Sequence, residues 1–188
     1  RVSDFESLAE LREFLLIIIR KRRQELNKGR VINFEESATI DETNVVSMSP
    51  GSLGGKGRGL AFINTLIYSF ELGRLIPGIN IKAPITVMIG TDEFDMFMKR
   101  NHLWSIVREE KNFREVQKAF LKGSLSYTLD KNLRIFLSKI TNPIAVRSSS
   151  LYEDSMSQPF SGIFGTWLVP NNDPERDVRL RQLSDAIK

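Results

Sequence analysis

A chain of 188 residues, 41% of them hydrophobic and 27% charged, has enough apolar material for one domain, or two small lobes, around a real core. It contains no cysteine and a single histidine, His102, which excludes disulfides, thiolate catalysis, cysteine-based zinc sites and a histidine-rich metal centre within the chain. Both facts are compatible with a reducing cytoplasm, the expected location. The net charge of +4 is concentrated in one place. Arg20 to Arg30 holds six basic residues and one acid, Glu25, and the remainder of the chain sums to −1. Such a cluster reads as the solvated end of a helix, where cations complement the helix dipole, rather than as a nucleic-acid-binding face. The longest apolar run, Phe14 to Ile19, gives way at once to Arg20-Lys21-Arg22-Arg23 and falls far short of the roughly 20 apolar residues of a spanning helix, so no membrane partner is expected. Arg1 is no initiator, and the expectation is a piece of a longer protein.

Taken in chain order, residues 4–28 read as one long amphipathic helix. Leu8, Leu11, Leu15, Ile18 and Ile19 recur at helical spacing, Ser3 with Glu6 suits a capping box, and Gly29 suits a stop. Val31 to Phe34 is a short strand and Glu35 to Glu42 a polar connection. Residues 1–46 are thus a leading helix and connection, and residues 47–188 a second unit. Ser47 to Gly59 carries Pro50 and five glycines, a density that regular elements tolerate poorly, and it opens into a helix with Leu60, Ile63, Leu66, Ile67 and Phe70 on one side. Pro84 to Ile89 is a buried strand, with Thr91 placed to cap the helix that follows. From Asp92 to Ile140 the pattern is helical in three or so pieces, broken at Asn101 and at Gly123-Ser124. Phe94, Phe97 and Met98 form one core stripe, and Leu133, Phe136 and Leu137 another. Ile144 to Val146 is a short strand ending at Arg147, Ser148 to Ser161 a polar loop, and Gly162 to Val169 a further strand. Asp173 and Pro174 supply the cap and first-turn proline of a last helix.

Two stretches are suited to chemistry. In Gly54-Gly55-Lys56-Gly57-Arg58-Gly59 the absence of side chains lets backbone N–H groups approach an anion, a helix N-terminus adds partial positive charge, and Lys56 supplies a point charge. Neither a Walker loop nor a Rossmann turn fits its spacing. Local chemistry leaves two readings open here, a phosphate cradle and a flexible surface turn. In Ala145-Val146-Arg147-Ser148-Ser149-Ser150 an arginine ends a short apolar strand ahead of three hydroxyls. It suits bidentate phosphate contact, or a plain surface pair with Glu153 or Asp154.

Together these stretches resemble the nucleotide-binding domain of the phosphoenolpyruvate synthase and pyruvate phosphate dikinase family. Gly54 to Leu60 is similar to that family's Gly-Gly-Lys-Gly stretch, and Val146 to Asp154 to its Val-Arg-Ser-Ser motif with a trailing Glu-Asp. Phe160-Ser161-Gly162 with Thr166 is similar to its Phe-Ala-Gly and Thr positions. The resemblance covers about Ser47 to Asn172. It implies an α+β fold, the N-terminal lobe of an ATP-grasp-like domain preceded by the long amphipathic helix. It also implies an ATP-dependent phosphotransferase. Lys56 and Arg147 would contact the ATP phosphates, with Arg147 in the catalytic role. Gly54, Gly55, Gly57, Ser148, Gly162 and Phe164 would line the phosphate side of the cleft. In the family, ATP phosphorylates a histidine on a separate swivelling domain, which carries the group to pyruvate or a related acceptor.

The same resemblance places the magnesium-binding carboxylates and the adenine-binding residues further along, in a lobe after the last helix, so ATP and Mg are implied but no metal ligand is assigned here. His102 lacks the surroundings of the family's carrier histidine and reads as an ordinary side chain. Two other readings compete: a degenerate or regulatory nucleotide-binding module without transfer, and an interaction domain whose basic leading helix meets a partner helix or an acidic surface.

Overall fold

A computed structural model of the chain describes residues 5–75, 77–110, 112–150 and 164–188. Helix α1 (Leu8–Asn27) begins where Ser7 caps it, its hydroxyl accepting from the Glu10 N–H at 3.1 Å. The expected cap at Ser3 lies outside the described residues. Ser7-Leu8-Ala9-Glu10 repeats the same four-residue pattern one turn later, and the Glu10 carboxylate accepts from the Glu6 N–H at 2.8 Å. Gly29, at φ 71°, follows the helix as expected of a stop. None of the residues of α1 is buried, and the apolar run of Phe14 to Ile19 is exposed.

Strand β1 (Val31–Asn33) is the expected short strand. Strand β2 (Val45–Ser47), unforeseen in the sequence, lies between it and β3 (Thr86–Met88) in a three-stranded parallel sheet of order β1-β2-β3. The register pairs Val31 with Val45 and Val45 with Thr86. As the central strand, β2 buries Val45 and Val46 almost completely, at 1% and 0% exposure. Residues on both sides of position 46 therefore share one sheet.

Helix α2 (Gly54–Ser69) links β2 to β3, followed by a 3-10 turn at Leu72–Arg74. Four helices then run in succession: α3 (Thr91–Arg100), α4 (Leu103–Glu109), α5 (Phe113–Lys122) and α6 (Tyr127–Lys139). The breaks after Arg100 and Lys122 fall where expected. The one before Phe113 was not foreseen, because no glycine or proline marks it. It is set by Asn112, whose side chain accepts from Arg114 N–H. Gly90 caps α3 rather than Thr91, which occupies the first helical position and accepts instead from Ser52 N–H at 2.9 Å. Phe97 and Met98 are buried with Leu103, but Phe94 is half exposed, edge-on to Trp104.

Strands β4 (Ile144–Arg147) and β5 (Thr166–Val169) form a separate antiparallel pair that closes Arg147 against Thr166. Helix α7 (Arg176–Ile187) is capped at Glu175. Asp173, expected as the cap, sits two residues earlier and accepts from Glu175 N–H at 2.8 Å. The larger core joins the sheet to α6 and α7. Met48, Leu129, Leu133, Phe136, Leu137, Leu180 and Leu183 are buried there, with Val87, Ile89, Ile144 and Val146 against them. The buried Arg179 donates to Leu137 O at 2.6 Å, tying α7 to the last turn of α6. Helices lie beside a small parallel sheet and a separate antiparallel pair, an arrangement compatible with an α+β fold.

Candidate functional site

The chain entering α2 is held by its neighbours before the helix begins. Gly90 N–H donates to the Ser49 hydroxyl and Thr91 N–H to Ser52 O, at 2.8 and 3.1 Å. Gly90 passes so close to the Pro50 carbonyl that a side chain there would collide with it. The loop from Ser49 to Leu53 is thereby fixed against the N-terminus of α3.

The glycines from Gly54 onward were expected in a loop, but they form the first turns of α2 itself. Glycine in a helix interior costs about 1 kcal/mol relative to alanine, so something outside the helix must favour it. That something is the segment after β4. Gly54 sits at φ 66°, and a Cβ there would lie 2.7 Å from Ser149 O. Gly57 is buried, and its Cβ would press on Leu53 and on the Met88 sulfur at 3.0 and 3.3 Å. The missing side chains admit the strand end on one side and β3 on the other. Tertiary packing overrides helix propensity here.

Each residue of the 148–150 segment meets the start of α2. Lys56 Nζ donates to Ser148 O at 3.1 Å, Gly57 N–H to Ser149 Oγ at 3.4 Å, and Gly55 N–H to Ser150 O at 3.1 Å. Ser149 Oγ in turn donates to Leu53 O at 3.2 Å. The Lys56 ammonium also stands 5.7 Å from the centroid of the Phe164 ring, within cation–π range. Two stretches read separately in the sequence, 92 positions apart, form one junction in space.

Arg147 is the last residue of β4, exposed, and immediately precedes Ser148, whose carbonyl holds Lys56. Its backbone direction is set by the pairing with Thr166. The first turn of α2 itself carries no acidic residue, and Lys56 and Arg58 add positive charge at the positive end of its dipole. Of the residues singled out in the sequence, Gly54, Gly55, Lys56, Gly57, Arg147, Ser148 and Phe164 fall at or beside this junction. Gly162 lies outside the described residues, as do Glu153 and Asp154. The Ser149 hydroxyl was not singled out. Its place in a run of three serines carries no sign that it would reach a helix so distant in sequence.

His102 stands at φ 54° between α3 and α4, at the end of α3 opposite the one that meets Ser52. Among the described residues no group of three or more His, Asp or Glu side chains could hold a metal ion. The surface hollows beside α6 and α7, both lined by Asp130, Ser184 and Lys188 among others, share no residue with the junction. No helix among the described residues is long and apolar enough to cross a membrane.

The family model described as "Pyruvate phosphate dikinase, AMP/ATP-binding domain" matches residues 51–185, most of the chain and the whole of the junction. No curated protein and no solved structure matches the chain.

Proposed function

Since the chain belongs to the pyruvate phosphate dikinase AMP/ATP-binding domain family, we propose that it is the ATP-binding portion of a dikinase-type phosphotransferase, built as the N-terminal lobe of an ATP-grasp-like domain. Lys56 and Arg147 contact the phosphates of ATP. The start of α2, with Gly54, Gly55 and Gly57, and the backbone at Ser148 shape the phosphate side of the site, and Phe164 and Gly162 border it. The phosphoryl group passes to a carrier histidine on another domain and on to pyruvate or a related acceptor.

The observation that carries this reading is the 3.1 Å contact between Lys56 Nζ and Ser148 O, which puts the lysine of one motif beside the backbone neighbour of the arginine of the other. Phosphoryl transfer asks the protein mainly for positioning and for cations aimed at oxygens that gain charge. A lysine at a helix start free of acidic side chains and an arginine at a strand end are of that kind. Lys56 serves as a point charge, and Arg147 offers a planar fork suited to two phosphate oxygens. The fit to magnesium is different. The described residues lack a carboxylate cluster for it, so its protein ligands belong to residues beyond this set, and no step is assigned to them.

ATP-dependent phosphorylation of the carrier histidine in the intact protein tests the reading. Arg147→Lys keeps the charge and loses the fork. The expected result is a fall in rate of tenfold or more, about 1.4 kcal/mol in the barrier, with an unchanged melt. Equal rates would remove Arg147 from the site.

A further inference from the structure

Helix α2 lacks a cap of its own. Leu53 precedes it, at φ −93° and ψ 0°, and has no side-chain oxygen to offer the first N–H groups. The oxygen comes from elsewhere in the chain. Ser149 Oγ accepts from Gly57 N–H and donates to Leu53 O, so one hydroxyl bridges the residue before the helix and its fourth residue. Gly54 makes room for that bridge, since any side chain there would displace Ser149.

We infer that Ser149 is a positioning residue for the nucleotide site: it caps α2 in trans and sets the spacing between Lys56 and Arg147. The inference rests on the phosphate roles proposed above. Gly57 is the next residue after Lys56, and Ser149 is two residues after Arg147. A single hydroxyl between Gly57 and Ser149 therefore adds a second tie between the two segments, beside the direct contact of Lys56 Nζ with Ser148 O. The backbone bond from Gly55 N–H to Ser150 O joins the same two segments but leaves the end of the first turn unrestrained. Without the Ser149 hydroxyl, Gly57 N–H and Leu53 O are left to each other as the first backbone pair of the helix and lose their tie to the segment after β4, and a helix start with four glycines within six residues has few side chains to restrain it. The lysine and arginine then sample a range of separations, and a triphosphate that must meet both binds more weakly.

The test is calorimetric titration of the intact protein with ATP, for wild type, Ser149→Ala and Ser149→Thr, each also in a Lys56→Ala background. Ser149 is exposed, so the methyl group of threonine has room beside a retained hydroxyl. Ser149→Ala is expected to weaken ATP binding about threefold to tenfold, the scale of one helix cap, while Ser149→Thr stays within about twofold of wild type, the hydroxyl being the group that matters. In the Lys56→Ala background the Ser149→Ala effect is expected to vanish, because there is no second cation left to position. A general structural role would instead give the same loss in both backgrounds and would overturn the inference. So would Ser149→Ala binding ATP as tightly as wild type or more so, the latter meaning that the serine competes with the nucleotide. If Lys56→Ala and Arg147→Ala both leave ATP affinity unchanged, the phosphate reading itself fails. If they weaken it and Ser149→Ala does not, only the positioning role fails.

Discussion

Residues 8–27 and residues 31–47 adjoin one another in the sequence, yet the fold treats them oppositely. The first stretch is a 20-residue helix carrying six consecutive apolar residues, and it buries none of its residues. The second is two strands of three residues each, and it supplies the central strand of the sheet, with Val45 and Val46 among the most buried side chains of the chain. Length and periodicity make α1 conspicuous. Burial is decided by what lies next to each segment, and β2 has a strand on either side.

Deleting the two stretches separately breaks this comparison most forcefully. A chain beginning at Met48 loses β1 and β2, exposes the side of β3 that β2 pairs with, and is expected not to fold, as read by loss of a cooperative thermal transition. A chain lacking residues 1–23 keeps the contact of Gln24 with Asp41 at 2.7 Å and is expected to melt close to the intact chain. If both chains melted alike, the sheet would not be the organising element. The same contrast holds for single side chains. Val46→Ala is expected to cost on the order of 2 kcal/mol through lost burial and a residual cavity, whereas Ile18→Ala on exposed α1 stays within about 0.5 kcal/mol. Denaturant midpoints of the two variants check both.

A smaller effect tests how the connection before β2 is tied down. Lys82 Nζ meets Glu42 Oε1 at 2.7 Å and holds that carboxyl below the usual glutamate range, while the same hydrogen bond holds the Lys82 ammonium above the usual lysine range. A depressed carboxyl pKa contributes stability above the unfolded value and loses it as pH falls through the folded one. A raised ammonium pKa contributes below its unfolded value and loses it as pH rises through the folded one. Lys82→Met should therefore melt slightly below wild type at neutral pH. The difference should close on acidification past the glutamate range, and again on the alkaline side past the lysine range. The pair is partly exposed, so the difference is small throughout. A difference that persisted in acid would assign it to packing of the lysine stem.

Elements whose signal is local were legible in the sequence. The long leading helix, its stop at Gly29, the strand at Val31, the breaks at Asn101 and Gly123, and the strand ending at Arg147 all rest on spacing or on a residue with one conformational use. What was not legible depends on partners distant in the chain. Strand β2 is three residues long and runs straight into a segment rich in proline and glycine, so only its two neighbours identify it. The glycines of α2 read as a loop because their helical state is stabilised by Ser149, Ser150 and Met88, and no window of sequence contains both halves. The displaced caps have a similar cause. Thr91 and Asp173 each satisfy a backbone N–H, but of a loop residue and of the residue after a proline, not of the helix each was expected to start. For the site, residue types were legible from local chemistry, and their meeting was expected only through the family resemblance. Lys56 and Arg147 stood out for suitable chemistry, and the Lys56 contact with Ser148 is what brings their segments together.

The central claim is that Lys56 and Arg147 act on one anion, and a double-mutant cycle measures it most directly. ATP affinity is determined by calorimetry for the wild-type protein, Lys56→Ala, Arg147→Ala and the double variant, with thermal melts for each. The account predicts that each single change weakens binding at least about tenfold and that the double variant is little worse than either single one, a coupling of about 1 kcal/mol or more between the two side chains. Losses that add without coupling, or an Arg147→Ala protein that binds ATP like wild type, would contradict it.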